Sequence, residues 1–148
     1  MKPILAFAFF TLAAAAGDPG YHAQFVGGTL ADVRPKTSAR LQLSDPGMLI
    51  FACHGQTLHI DYSRINGLEY GQNVSRRFAA ALLVSPLFLL SKSRQHFVTI
   101  GYTDPEGKQE ALLFRVDKRD IRGVLTTLEA RSGRRVEFQD DEARKTGK

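Results

Sequence analysis

Cysteine is scarce in this sequence, because Cys53 is the only one among 148 residues. A lone cysteine excludes an intramolecular disulfide and the paired-cysteine motifs of structural zinc sites. Cys53 ends the continuous apolar run Met48–Cys53, which predicts a small buried hydrophobic residue rather than a reactive thiol. The fold must therefore be held together by packing.

Catalytic signatures are also missing. The sequence contains no HExxH motif and no GxSxG nucleophile elbow. Gly27-Gly28 lacks the glycine spacing of a phosphate-binding loop, so it indicates a bulge or a close approach of two backbones. His59 and Asp61 share one strand face, but two ligands make an incomplete metal site, and an exposed polar face explains them more simply. We therefore predict no metal and no cofactor.

The composition shows no strong bias toward one charge or toward disorder. Hydrophobic residues make up 43% and charged residues 24%, as in an ordinary globular protein, and 148 residues suffice for one domain with one core. The net charge of +5 favours anionic partners, although it is small enough to be a solubility feature. Because the basic residues are not interleaved with aromatic side chains, we predict no nucleic-acid partner.

The N-terminal sequence is typical of a secretory signal peptide over residues 1–16. Met1-Lys2 is a positive start, Ile4–Ala16 is apolar, and small alanines precede Gly17, where we expect cleavage. An uncleaved anchor is the alternative, but the apolar stretch is too short to cross a bilayer. No cysteine follows for lipid attachment. We therefore expect a periplasmic or secreted protein with a linker over residues 17–24.

The body of the chain predicts short strands separated by turns, followed by one helix. Apolar and polar residues alternate with period two in most of the runs. The predicted strands are Phe25–Leu30, Ala39–Ser44, Met48–Cys53, Thr57–Tyr62, Ile65–Tyr70, His96–Thr103 and Gln109–Val116.

Helical spacing follows the last of these strands. Ile121, Val124, Leu125 and Leu128 form one apolar stripe, which predicts an amphipathic helix that ends near Gly133. Val136–Phe138 either adds a short strand or packs on the body, and residues 139–148 should fray.

This order of elements resembles a pleckstrin-homology-like (PH-like) or GRAM-like domain, as found in small exported bacterial proteins. The resemblance is carried by Gly27-Gly28-Thr29, Ile60–Ile65, Leu68–Gly71, His96–Ile100 and Leu128–Gly133. It implies a mainly β fold over residues 25–138: a curled antiparallel barrel of about seven strands, plugged by the C-terminal helix. PH-like relatives bind phosphoinositides or peptides, usually through a basic loop between the first two strands. Here that loop carries only Arg34 and Lys36 as basic residues.

One apolar run, Phe78–Leu90, interrupts this pattern. Its sequence FAAALLVSPLFLL has cations on both sides and a proline that would break a helix, so we predict a helical piece over residues 76–84, a turn at Ser85-Pro86 and an extended Leu87–Leu90. Three places remain open for this insertion: it packs against the barrel or lines a homodimer, it enters a membrane surface, or it is buried in a different protein.

The sequence therefore predicts a non-catalytic envelope module that binds an anionic membrane surface or an envelope protein. The binding residues that we predict are Arg76, Arg77, Phe78, Leu82, Leu83, Leu87, Phe88, Lys92 and Arg94. The alternative is a small envelope enzyme with a site around His59 and Asp61 or around His96. Such a site needs a concave pocket that unites at least two of these three residues.

Overall fold

The computed structural model describes residues 20–30, 32–72, 95–139, 141 and 144–145. These residues form eight strands, a 3₁₀ turn and one helix. The elements are β1 (Tyr21–Gly28), β2 (Ser38–Gln42), β3 (Met48–Cys53), β4 (Gln56–Asp61), the 3₁₀ turn Tyr62–Arg64, β5 (Ile65–Gly71), β6 (His96–Thr103), β7 (Gln109–Val116), α1 (Ile121–Ser132) and β8 (Val136–Phe138).

All eight strands belong to one sheet, in the order β4-β3-β2-β1-β7-β6-β5-β8. Neighbouring strands are antiparallel except for β5 and β8, which run parallel. The fold is mainly β with one C-terminal helix, as predicted. The sheet is not a closed barrel, however, because β4 and β8 lie at its two edges, and it has eight strands rather than about seven.

The first strand begins earlier than the sequence predicted. Residues 21–24, expected to be linker, belong to β1, where Tyr21 lies opposite Leu41 and Ala23 opposite Ala39 in β2. The strand contains a bulge between Phe25 and Gly27. The bulge confirms one of the two readings of the glycine pair.

One face of the sheet carries the main hydrophobic core, and we call it the inner face. Alternate residues of the strands contribute to it, for example Phe25, Phe51 and Phe114, whose rings lie in a tilted row 5.6–6.4 Å apart. The helix α1 lies on this face, because its buried side chains belong to the same core. They are the four predicted from the spacing: Ile121, Val124, Leu125 and Leu128.

The C-terminal end of α1 is fixed by backbone geometry and by an arginine. Gly133 has a φ of 68°, in the left-handed region that favours glycine, and its N–H donates to the carbonyl of Glu129. The guanidinium of Arg131 donates to the Asp45 carbonyl at 2.7 Å and lies 5.8 Å from the ring centroid of Tyr62. Arg131 thus ties the helix to the turn between β2 and β3.

Cys53 lies on the inner face and is 2% exposed. Burial raises the pKa of its thiol, so less thiolate forms at neutral pH. The prediction that Cys53 is buried is confirmed.

The strand β6 is buried on both faces. Val98, Ile100 and Tyr102 belong to the inner core, and Phe97 and Thr99 on the opposite face are buried as well. No helix within the described residues is long and apolar enough to cross a membrane.

A substitution at Gly28 tests the close approach of β1 and β7. A Cβ at Gly28 would lie 2.6 Å from the Ala111 carbonyl oxygen, and the residue has a φ of 141°. We expect Gly28→Ala to lower the free energy of unfolding by about 2 kcal/mol or more, measured by urea denaturation. Gly55→Ala is the control, because Gly55 also has a positive φ but nothing lies within 4 Å of its Cβ position. Equal losses in the two variants would contradict the close approach.

Candidate functional site

The nine predicted binding residues lie outside the described residues, but both ends of the segment that carries them are described. β5 ends at Gly71 and β6 begins at His96, and these strands pair directly, with Gly71 opposite Phe97. A turn of about two residues is enough to join two such strands. Residues 78–90 therefore lie in an insertion that starts and ends at one end of the sheet.

A buried pair of polar side chains, Tyr70 and His96, lies at the end of the sheet where this insertion begins and ends. The hydroxyl of Tyr70 lies 2.6 Å from Nδ1 of His96, and the two rings are stacked with an angle of 9° between their planes. Phe138 packs edge-on against the Tyr70 ring, with 6.0 Å between the ring centroids. Burial, and then the charge of Lys118, lowers the pKa of His96. His96 is thus a buried part of the scaffold rather than a surface group.

His59 and Asp61 do line a common cavity of about 160 Å³. The cavity lies between β4, the 3₁₀ turn and the turn that follows β6. Its lining residues are Met48, His59, Ile60, Asp61, Arg64, Tyr102, Thr103, Asp104 and Pro105. The pocket that an enzyme would need therefore exists for this pair. His96 is remote from it, because His96 starts β6 and the cavity meets the other end of that strand, about 20 Å away.

The polar groups of this cavity are engaged in holding the chain. Oδ1 of Asp61 accepts hydrogen bonds from the hydroxyl of Ser63 at 2.6 Å and from its N–H at 2.8 Å. These bonds lower the pKa of Asp61, and the charge of Arg64 contributes. Arg64 itself donates to the Asp104 carbonyl at 2.8 Å. Asp61 thus remains an ionised cap of the 3₁₀ turn, a poor starting point for a general acid.

The cavity offers little room or ligating power. Its volume is below the range of about 300–1,000 Å³ that is typical of small-molecule sites. Within the described parts of the chain, no group of three or more histidine, cysteine, aspartate or glutamate side chains is placed to hold a metal ion. His59 and Asp61 are both exposed, as the strand alternation predicted.

A basic groove between α1 and β8 was only partly visible in the sequence. Arg134, Arg135 and Arg144 line it together with Phe138, and it encloses about 670 Å³. Arg134 donates through Nε to the Ile65 carbonyl at 3.2 Å, so part of this charge is used to hold the helix end against β5. Arg134 and Arg135 are neighbours in the sequence, whereas Arg144 lies beside them only in three dimensions.

The hydroxyl of Tyr62 is buried and has no hydrogen-bond partner among the described residues. The sequence did not predict this. Burial raises the pKa of this tyrosine, and the nearby charge of Arg131 opposes the effect. A buried hydroxyl without a partner costs free energy. The alternation of apolar and polar residues from Thr57 to Tyr62 predicts that Tyr62 is buried, but it cannot predict that the hydroxyl lacks a hydrogen-bond partner.

The buried His96 should make stability depend on pH. Its pKa is lowered in the folded state, so below about pH 6.5 the unfolded chain binds more protons than the folded chain does. The free energy of unfolding should therefore fall as the pH is lowered from about 8 to about 5, measured from urea midpoints. His96→Gln should weaken this dependence, whereas His59→Gln, which changes an exposed histidine, should leave it intact. The same pH slope in His96→Gln as in the wild type would contradict the assignment.

Two tyrosine variants should separate a satisfied hydroxyl from an unsatisfied one. Tyr62→Phe should leave the free energy of unfolding unchanged or raise it by about 1 kcal/mol, because it removes a buried hydroxyl without a partner. Tyr102→Phe is the matched control, since its hydroxyl lies 2.6 Å from Oγ1 of Thr29. This variant should lose about 1 kcal/mol. Equal losses in the two variants would show that the Tyr62 hydroxyl is bonded.

No protein-family model matches the chain, and no curated protein matches it either.

Proposed function

We propose that this protein is a non-catalytic binding module of the cell envelope. It contacts an anionic membrane surface through the apolar segment 78–90, and the basic residues on both sides of the segment contact the lipid headgroups. A protein of the envelope is the other partner that the sequence allows. The periplasmic or secreted location is part of the same proposal and depends on the predicted signal peptide.

The position of the insertion carries this proposal. β5 and β6 are direct neighbours, so the sheet needs only a short turn where the chain instead inserts an apolar run. The inner core is built from the eight strands and α1 of the described chain. A long apolar detour at one end of a sheet that already has a core favours a contact function over a purely structural one.

The charge pattern supports a membrane surface in particular. Arg76 and Arg77 precede the apolar run, and Lys92 and Arg94 follow it. Each such cation contributes about 1 kcal/mol of attraction near an anionic surface, while apolar side chains enter the acyl boundary. The run is too short to span a bilayer, so the proposed contact is with one surface.

The engaged polar groups of the His59 cavity support the non-catalytic part of the proposal. Asp61 is the cap of the 3₁₀ turn, and Arg64 is bonded to a backbone carbonyl. A PH-like fold is also part of the proposal. The order of seven strands followed by one helix supports it, and the parallel β8 is an addition to that order.

Co-sedimentation with lipid vesicles tests the membrane contact. The chain without residues 1–16 should bind vesicles of equal parts phosphatidylglycerol and phosphatidylcholine at low salt, and it should bind pure phosphatidylcholine vesicles much less. Arg76→Glu with Arg77→Glu should weaken binding by about 30-fold or more, because at least two attractions of about 1 kcal/mol are lost. The matched control is Arg119→Glu with Arg122→Glu, which changes the net charge equally at two exposed positions at the start of α1.

Two outcomes would overturn the membrane proposal. One is the absence of binding at low salt. The other is an equal loss in the insertion variant and in the α1 variant, because general attraction between a basic protein and an anionic surface would then suffice.

A further inference from the structure

Part of the outer face of the sheet is buried although no described element covers it. On β1, β7, β6 and β5 we define the outer patch as Val26, Leu113, Phe97, Thr99 and Glu69. Their exposed fractions are 0%, 0%, 4%, 6% and 8%. They are contiguous, because Leu113 pairs with Thr99, and Thr99 pairs with Glu69. Val26, Phe97 and Leu113 are not part of the inner core.

The described elements outside the sheet do not cover the outer patch. α1 packs on the inner face, and so do Leu30 and Val33 from the connection between β1 and β2. Gln139 reaches the edge of the patch, where its side-chain amide donates a hydrogen bond to Glu69. Within the described chain, then, nothing accounts for the full burial of Val26 and Leu113.

The other half of the same face shows what an uncovered strand looks like. On β2, β3 and β4 no outward side chain is fully buried: Ser38, Met48, Thr57 and His59 are exposed, Met48 to 37%, and others, such as Ile50, are half-buried. Both halves belong to one continuous sheet. The difference in exposure therefore calls for a cover over β1, β7, β6 and β5 alone.

We infer that the outer patch is a docking surface for the apolar segment 78–90 of the same chain. This segment joins the ends of β5 and β6, the two strands that carry Glu69, Phe97 and Thr99. The other residues outside the description fit less well. Residues 1–16 have the sequence of a cleaved signal peptide, and the C-terminal tail after Gln139 has no large apolar side chain.

The size of the outer patch agrees with this occupant. Four adjacent strands extend about 14 Å from the first to the last, and nine helical residues, as predicted for residues 76–84, extend about 13 Å.

Docking covers only one side of the segment. Its sequence is apolar on every side of a helix, whereas the outer patch offers four uncharged side chains. One side of the segment docks and the opposite side remains apolar. The inference does not rest on the proposed function, and it leaves a side of the segment for the membrane.

Methyl NMR on the chain without its signal peptide tests the docking. With leucine and valine methyls labelled, we expect cross-peaks from Val26 and Leu113 to methyls within residues 78–90, which correspond to separations of less than about 6 Å. Cross-peaks only to sheet neighbours would overturn the inference. So would cross-peaks to residues 78–90 that arise only between differently labelled copies, since the occupant would then be a second molecule.

A pair of threonine variants provides the matched control. Thr99→Lys places a charge in the outer patch, and we expect it to remove these cross-peaks and to raise amide exchange in residues 78–90 at least tenfold. Thr57→Lys makes the same change at an exposed position on β4 and should alter neither. Unchanged cross-peaks in a folded Thr99→Lys protein would overturn the inference.

A milder substitution covers the case in which Thr99→Lys does not fold. Leu113→Ala shrinks the outer patch without adding charge, and it should raise amide exchange in residues 78–90 while the inner-face methyl of Leu112 keeps its chemical shift. Unaltered exchange would overturn the inference. Vesicle binding is a separate readout: cross-peaks without vesicle binding refute only the proposed function, and vesicle binding without cross-peaks refutes only the docking.

Discussion

The contact between α1 and the inner face of the sheet is the constraint on which the rest of the described structure depends. An open sheet has two faces, and burial of apolar side chains is the main favourable term in folding. α1 covers the inner face with its four apolar side chains, and Arg131 fixes its end to the turn between β2 and β3. Because this one helix serves one face, the state of the opposite face becomes the central functional question.

That opposite face is divided, and the division follows the sequence. No outward residue of β2 to β4 is fully buried, whereas Val26, Leu113 and Phe97 are buried on β1, β7 and β6. The insertion leaves from the buried half, next to the stacked pair of Tyr70 and His96. A buried hydrogen bond joins the two strands from which the insertion starts.

Local patterns predicted the parts of the fold that depend on neighbours in sequence. Apolar runs, alternation and turn residues gave β3, β6 and β7 their observed bounds, and helical spacing gave the buried side of α1. The start of β1 was missed, although Ala23 and Phe25 alternate with His22 and Gln24, because its pairing with β2 joins residues distant in sequence. The edges of the sheet and the parallel pairing of β8 with β5 were also missed, since both are set by contacts distant in sequence.

The candidate site divides in the same way. Alternation placed His59 and Asp61 on one exposed face, but their cavity also needs Arg64 and the turn after β6. The missing partner of the Tyr62 hydroxyl and the burial of β6 on both sides depend on what lies opposite each group. The two-residue repeat of a strand predicts the face on which a residue lies, but it does not predict what covers that face.

The hydrophobic effect links the proposed docking to the proposed membrane contact. Apolar surface in water costs about 25 cal/mol per Å², so a run that is apolar on every side cannot be satisfied by a patch that covers one of them. In the proposed docking, the side of the segment that faces Val26, Leu113 and Phe97 would be covered and the opposite side would not. Apolar side chains left in water, at about 1 kcal/mol or more for each large one, would supply a driving force for the second contact that we propose. The cations on both sides of the run would favour an anionic surface for it.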